Sequence, residues 1–459
     1  MSRKVVITGL GTVTPLGTGF YPLWEALVAG KSALGPLTSL DPAGFPSRLG
    51  GEIKGFSARD FMPKAYRKSL KVMARDIEIA VGAAKLAVDD ANLVTRAHAE
   101  TGQTQTTYPS ERVGCQIGAG LIAAEAGELA AAMATAVPAG VTDADRAFNG
   151  GFSLKAWGTQ GDTPGSGGMN NLPPLWMLKY LPNMLACHVT IIHGNEGPSN
   201  TITCAEASGL LCIGEGSRVI ERGAADATFA GGADSKLNVV GFLRWTQAGD
   251  LADTGAETDG SRIVRPYDPQ SPGTLMSEGG GILILEEASS AAARGARVYA
   301  EIAGFGAAQS SPPVLPPYPN GRDRNDGLER AIAAALRDAG IGAEAIDAIV
   351  PQAKGAPAFD AGEAQALRRV FGARLSRLPL VTLAPAMGDL YAGYGAVQAG
   401  VAAMCLREQR VPARIHAGRC PGDLRAEAGE SREATLNHVL VCASSMGGQN
   451  AALVLRKAS

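Results

Sequence analysis

The chain contains the same succession of elements twice, and this duplication limits its fold more than any single motif does. An apolar strand from Val5 to Gly11 reads VVITGLG, and a second from Ala300 to Gly306 reads AEIAGFG, with its glycine pair at the same spacing. An amphipathic helix follows each. Met73, Ile77, Ala80, Val81, Ala84 and Val88 share one face of the first, and Leu328, Ile332, Ala335, Leu336 and Ala339 share one face of the second. The helix ends also resemble each other, AVDDANL at 87–93 against ALRDAGI at 335–341. Next come strands at RVGCQIGAG and IDAIVPQAKG, then a strand, sharp turn and helix at NTITCAEASGLLCIGEG and LVTLAPAMGDLYAGYGAVQAG. Each half closes on a further strand, ADATFAGGADS and NHVLVCASSMGGQN. This alternation predicts an α/β fold of two similar packed halves, with a site where they meet.

The division falls near 255–265, giving halves of 1–258 and 259–459. Residues 120–182, which include the loop WGTQGDTPGSGGMNN, fit the repeat poorly and read as an insertion in the first half. Such a segment is either a surface loop or an element of a dimer contact and substrate channel.

Composition narrows the function classes. With 46% apolar and 19% charged residues the chain is of globular type, and a net charge of -2 gives no whole-protein attraction to nucleic acid or to an acidic membrane. No apolar window reaches the length of a membrane span, and the apolar run at the start is too short for a signal peptide. Cys115, Cys187, Cys204, Cys212, Cys405, Cys420 and Cys442 form no CxxC pair and no ligand-like spacing with histidine. Reduced thiols in a cytoplasmic protein, with no metal and no cofactor, are the expectation.

The segments LPNMLACHVTIIHGNEGPS (181–199), GAADATFAGGADS (223–235), ILILEEASSAAARGARVYAEIAGFG (282–306), GEAQALRRVFG (362–372) and LREQRVPARI (406–415) occur in order along the chain. Together they resemble β-ketoacyl-acyl carrier protein synthases of type II, members of the thiolase superfamily. The resemblance implies a thiolase-like fold, two α/β halves in αβαβα layers. It also implies a chemistry. A cysteine at a helix N-terminus takes an acyl group from a carrier protein, two histidines assist decarboxylation of a malonyl unit, and backbone N–H groups hold the oxyanion.

None of these three catalytic side chains is present. Aligning GPS and the following SG of a TACTSG-like motif puts Glu206 at the nucleophile. The stretch QAKGAPAFD, similar to HGTSTPAGD, puts Gln352 at the first histidine. APAMGD, similar to KSxxGH, puts Asp389 at the second histidine and Ala384 at the lysine. In the gating loop SSMGGQN, Ser444 and Met446 stand where FGFGGTN has phenylalanines. His98, His188, His193, His416 and His438 all lie elsewhere. Cys204, two residues upstream of Glu206, shares its face of a strand but lies too deep to replace the nucleophile. Glu206 either meets free N–H groups at a helix start or plugs the acyl site, and Asp389 similarly caps a helix.

Two features look retained. MPKAYRKSLK places Lys64, Arg67 and Lys68 where the family docks its acidic carrier protein, although a basic helix start is also an ordinary solvated surface. The strand Asn200, Thr201, Ile202, Thr203, Cys204 matches the one that pairs across the dimer two-fold. GDLYAGYGAV at 388–397 is similar to the chain-length factors, or ketosynthase-β subunits, of type II polyketide systems. The resemblance therefore implies a noncatalytic subunit with an active ketosynthase and an acyl carrier protein as partners. A malonyl-carrier-protein decarboxylase and a homodimeric pseudoenzyme are the alternatives. Glu206 departs from the glutamine usual in such subunits.

Overall fold

A strand can approach a helix backbone to backbone only where it carries no side chain, and both glycine pairs do this. In the computed structural model, which describes residues 3–136, 157–158, 168–172, 175–310, 326–415 and 418–458, strand β1 (Val5–Thr14) lies against helix α1 (Arg75–Asp90). A Cβ added to Gly11 would stand 2.0 Å from the Ala83 carbonyl oxygen, and one at Gly9 2.4 Å from that of Ala87. In the second half, the strand Ala300–Gln309 meets the helix Asp326–Ala339 in the same way. There, Gly306 and Gly304 would meet the carbonyls of Ala331 and Ala335 at 2.2 and 2.3 Å. The apolar faces expected of both helices are turned inward, except that Met73 is buried just ahead of α1 rather than within it.

The first half supplies β1, β2 (Val113–Ala119), β3 (Ser199–Ile202), β4 (Ala227–Ser235) and β5 (Glu278–Glu287). The second supplies β6 (Ala300–Gln309), β7 (Ala348–Val350), β8 (His438–Ser444) and β9 (Gln449–Arg456). They form one mixed sheet in the order β7-β8-β9-β6-β1-β5-β4-β2-β3. Reading outward from β1, the first half runs β5, β4, β2, β3, antiparallel for two steps and then parallel for two. From β6 outward the second half runs β9, β8, β7 with the same directions. A parallel bridge from Ile349 to Leu380 fills the place of its last strand. The halves join where β1 and β6 pair antiparallel, Val5 opposite Ile302. β5, between β4 and β1, lies beyond the 258/259 division drawn from the sequence.

Two helices form the central layer, α2 (Ser208–Glu221) and Tyr394–Glu408, the latter buried from Tyr394 to Leu406. A helix that is apolar and small-sided all round belongs inside a fold. With α1 and Asp326–Ala339 outside, the layers are those of a thiolase-like α/β fold.

The edge strand is shorter than expected. β3 ends at Ile202, so Thr203 and Cys204 are outside it. The cause is the turn that follows, where Ala205 adopts a left-handed φ of 45° that no strand can continue. Within 120–182, Ala126–Ala134 is helical, while much of the glycine-rich loop lies outside the described residues. No helix among the described residues is long and apolar enough to cross a membrane.

Gly11→Ala and Gly306→Ala are expected to destabilise the protein by about 1–3 kcal/mol or more, since backbone rather than a flexible side chain must yield. Gly127→Ala, in a helix with open space around it, should be neutral or stabilising by up to about 1 kcal/mol. Urea unfolding of the three variants checks the contrast.

Candidate functional site

Three short segments reach the interior through residues with left-handed backbone, and each carries one of the replaced positions. Ala205 (φ 45°) precedes Glu206, Ala353 (φ 44°) separates Gln352 from Lys354, and Tyr391 (φ 48°) follows Asp389 by two residues. Such conformations cost about 1–3 kcal/mol each in a non-glycine residue and persist where the surroundings impose them.

Hydrogen bonds fix each segment. After β3 the Cys204 N–H donates to the Ser208 hydroxyl at 2.8 Å, and that hydroxyl donates to the Ala205 carbonyl at 2.7 Å. Glu206 thus sits in a tight turn, Ala205–Ala207, that leads directly into α2. The Gln352–Gly355 loop is held by the helix Pro357–Phe371. Glu363 accepts the N–H groups of Gln352 and Ala353 at 2.8 and 2.9 Å, and Asp360 accepts that of Gly355 at 3.1 Å. Asp389 follows the short helix Ala384–Met387, and its Oδ1 accepts the Tyr391 N–H at 2.8 Å.

These turns bring one ammonium among three carboxyl groups. Lys354, 1% exposed, donates from Nζ to Asp250 Oδ2 at 2.8 Å and to Glu206 Oε1 at 3.1 Å. Its Nζ also lies 4.2 Å from the centre of the Phe359 ring and 6.0 Å from that of Trp245. The second oxygen of Glu206 accepts the Met446 N–H at 3.3 Å. Burial alone would push Lys354 down, but Asp250, Glu206 and Asp389 outweigh it and hold it above the usual lysine range. Asp389 shows the opposite balance. Burial and the charge of Glu206 push it up to about 7, against the pull of Lys354 and the Tyr391 N–H.

Glu206 and Asp389 therefore share one charged cluster, and Glu206 is bound by a cation and a loop N–H rather than only by a helix start. The Gln352 side chain is buried beside them but finds no hydrogen-bonding partner among the described residues. Ala384 is buried at the start of its short helix and carries no charge; the local cation comes from Lys354 instead. Ser444 donates to Asn450 Oδ1 at 2.6 Å, and Met446 packs with Phe242, Trp245 and Tyr391. Lys64 and Lys68 are exposed and Arg67 is half-buried on the turn helix Lys64–Val72, whose first N–H groups are capped by Glu100. In β3, which among the described residues has β2 as its one neighbouring strand, Asn200 is exposed and Thr201 and Ile202 are half-buried.

Glu206 is committed to Lys354, and burial pushes the Cys204 thiol up, away from the thiolate form. Among the described residues no group of histidine, cysteine or acidic side chains is arranged to hold a metal ion. Neither Lys354 nor Asp250 stands out in the sequence. The one signal is a lysine inside the otherwise uncharged run QAKGAPAF, where burial demands a counter-charge.

Lys354→Met leaves two carboxylates buried without their cation and is expected to cost about 3–5 kcal/mol. Glu206→Gln in the same chain should recover part of the loss, as urea unfolding of the single and double variants will show. Asp389 holds its proton more tightly folded, at about 7, than unfolded, at 3.8. The resulting stability is fully present below about pH 4 and is lost as pH rises through 7. Melting curves from pH 5 to 8 should therefore fall less steeply for Asp389→Asn than for the parent chain.

Residues 2–291 match the family model for the β-ketoacyl synthase N-terminal domain, and residues 299–418 that for the C-terminal domain. The 3-oxoacyl-[acyl-carrier-protein] synthase 2 of a Synechocystis strain is 29% identical over 99% of this chain and 98% of its own length. The synthase 2 of Vibrio cholerae is 30% identical over 90% of this chain and 88% of its own. Among solved structures, the ishigamide ketosynthase/chain length factor aligns over the whole of both chains with a TM-score of 0.80 at 25% identity. A β-ketoacyl synthase from Burkholderia phymatum, at 24% identity and a TM-score of 0.77, shares the fold. With the duplicated sheet, the left-handed turns and both domain matches in place, the chain belongs to the β-ketoacyl synthase family.

Proposed function

We propose that this chain is a noncatalytic subunit of chain-length-factor type, which pairs with an active ketosynthase and shapes the acyl or polyketide chain built on an acyl carrier protein. The observation that carries this reading is Glu206. At the position where the family has its nucleophilic cysteine stands a fully buried carboxylate, tied to Lys354 and to the Met446 N–H. A carboxylate held in this way cannot form the thioester that acyl transfer requires. Gln352 and Asp389 cannot reproduce a pair of neutral imidazoles.

What is retained suits a partner. Among the described residues β3 leaves one edge of the sheet open, and unpaired strand edges invite pairing with another chain. Leu121, Met133, Leu175 and Met177, all on the segment that follows β2, are exposed apolar side chains. The basic turn with Lys64, Arg67 and Lys68 is available to an acidic carrier protein. One structural relative is itself described as a ketosynthase/chain length factor, and another as an acyl carrier protein in complex with its ketosynthase.

Co-expression with a ketosynthase from the same genome tests the reading. A stable 1:1 complex is expected, with product length altered by changes in this chain and no condensation by the chain alone. Glu206→Cys should not restore condensation, because both histidine positions remain replaced. Release of carbon dioxide from malonyl-carrier protein by the purified chain, abolished at Glu206, would instead make it a decarboxylase.

A further inference from the structure

Many guanidinium groups of the molecule are matched by a carboxylate, as in Arg75–Glu278, Arg112–Asp226, Arg294–Glu286 and Arg456–Glu301. The segment from Arg410 to Glu433 gathers several that are not. Of its acidic side chains, Glu433 is engaged by Arg410 at 3.6 Å and Asp423 by Arg368 at 2.5 Å, while Glu427 and Glu430 are exposed and make no ion pair among the described residues. Among the described residues, Arg377, Arg414, Arg425 and Arg432 have no carboxylate within ion-pair distance.

These four groups are gathered by backbone pairing. Arg432 lies opposite Val411 in a short ribbon, and Arg414 forms a bridge with Gly429. Arg414, 8% exposed, donates from Nη1 to the carbonyl of Arg425, and Arg425 donates from Nη1 to the carbonyl of Arg377 at 3.2 Å. The carbonyls orient the guanidinium groups without neutralising them. Burial pushes Arg414 down; the exposed Glu427 opposes this, and Arg432 and Arg425 add to it. Arg432 is pushed down by burial and by Arg425, again against the opposing charge of Glu427. Buried and half-buried arginines that repel one another and have no carboxylate within ion-pair distance are placed to accept an oxyanion, whose oxygens match the guanidinium fork.

We propose that Arg414, Arg425 and Arg432 form a binding site for a phosphate group. It shares no residue with the Glu206 cluster and does not depend on the function proposed above. Arg414 forms the buried floor, and Arg425 and Arg432, both half-buried, form the walls. The group is either free phosphate or a phosphomonoester carried by a small molecule.

Titration calorimetry of the full chain, at ionic strength held constant with chloride, separates these sources with inorganic phosphate in one arm and glycerol 3-phosphate in the other. Saturable 1:1 binding is expected in at least one arm, weakened tenfold or more in Arg425→Gln/Arg432→Gln. Tighter binding of the ester identifies a phosphomonoester, and tighter binding of phosphate the free ion. Arg432→Gln alone serves if the double variant does not fold, and melting without phosphate establishes which variants are folded. Binding that is unchanged in a folded variant would overturn the proposal, as would the absence of saturation by either probe at millimolar concentration.

Discussion

A lysine ammonium buried without acids costs several kcal/mol, so the position of Lys354 dictates the arrangement of everything that touches it. Its two hydrogen-bonded partners, Glu206 and Asp250, come from the first half of the chain, whereas Lys354 itself comes from the second. Met446, also from the second half, closes onto the other oxygen of Glu206. The cluster therefore ties the two halves together at the place where their central helices begin. Three carboxyl groups face one ammonium, and Asp389, which makes no direct bond to Lys354, is pushed up to about 7 by burial and by the charge of Glu206.

Ala205, Ala353 and Tyr391 adopt left-handed conformations beside the three replaced positions. That strain has no use in a simple α/β core, where ordinary turns would connect the same strands. It is the geometry of a site that aims side chains into a common space, and here the aimed side chains are Glu206, Lys354 and Asp389. The pairing is concentrated on Lys354 and Glu206, while Asp389 Oδ2 and the Gln352 amide find no hydrogen-bonding partner among the described residues.

How much of this the sequence discloses depends on distance along the chain. The glycine pairs at 9 and 11 and at 304 and 306 are legible because a local pattern, repeated, has one packing explanation. The replaced positions Glu206, Gln352 and Asp389 are legible because short anchors, GPS, SG and PAxD, flank them. The Lys354 pairs are not, since they join residues 148 and 104 positions apart and nothing local marks either partner. The end of β3 is illegible for a different reason. Thr203 has good strand propensity, and the turn at Ala205, held by the Ser208 hydroxyl, removes it and Cys204 from the ladder.

Lys354 and Arg414 present the same physical problem with opposite solutions. Both are basic groups drawn out of water, and both are oriented by specific acceptors. Lys354 has its neutralising charges built into the chain, so nothing further is needed to hold the cluster together, and an incoming acyl group would have to displace an ion pair. Arg414 is oriented by a backbone carbonyl, which carries no net charge, and its nearest basic neighbours increase the repulsion. The first arrangement is closed and the second is incomplete. Where a fold leaves buried positive charge incomplete at a surface that water can still reach, the missing negative charge is most simply supplied from outside the chain.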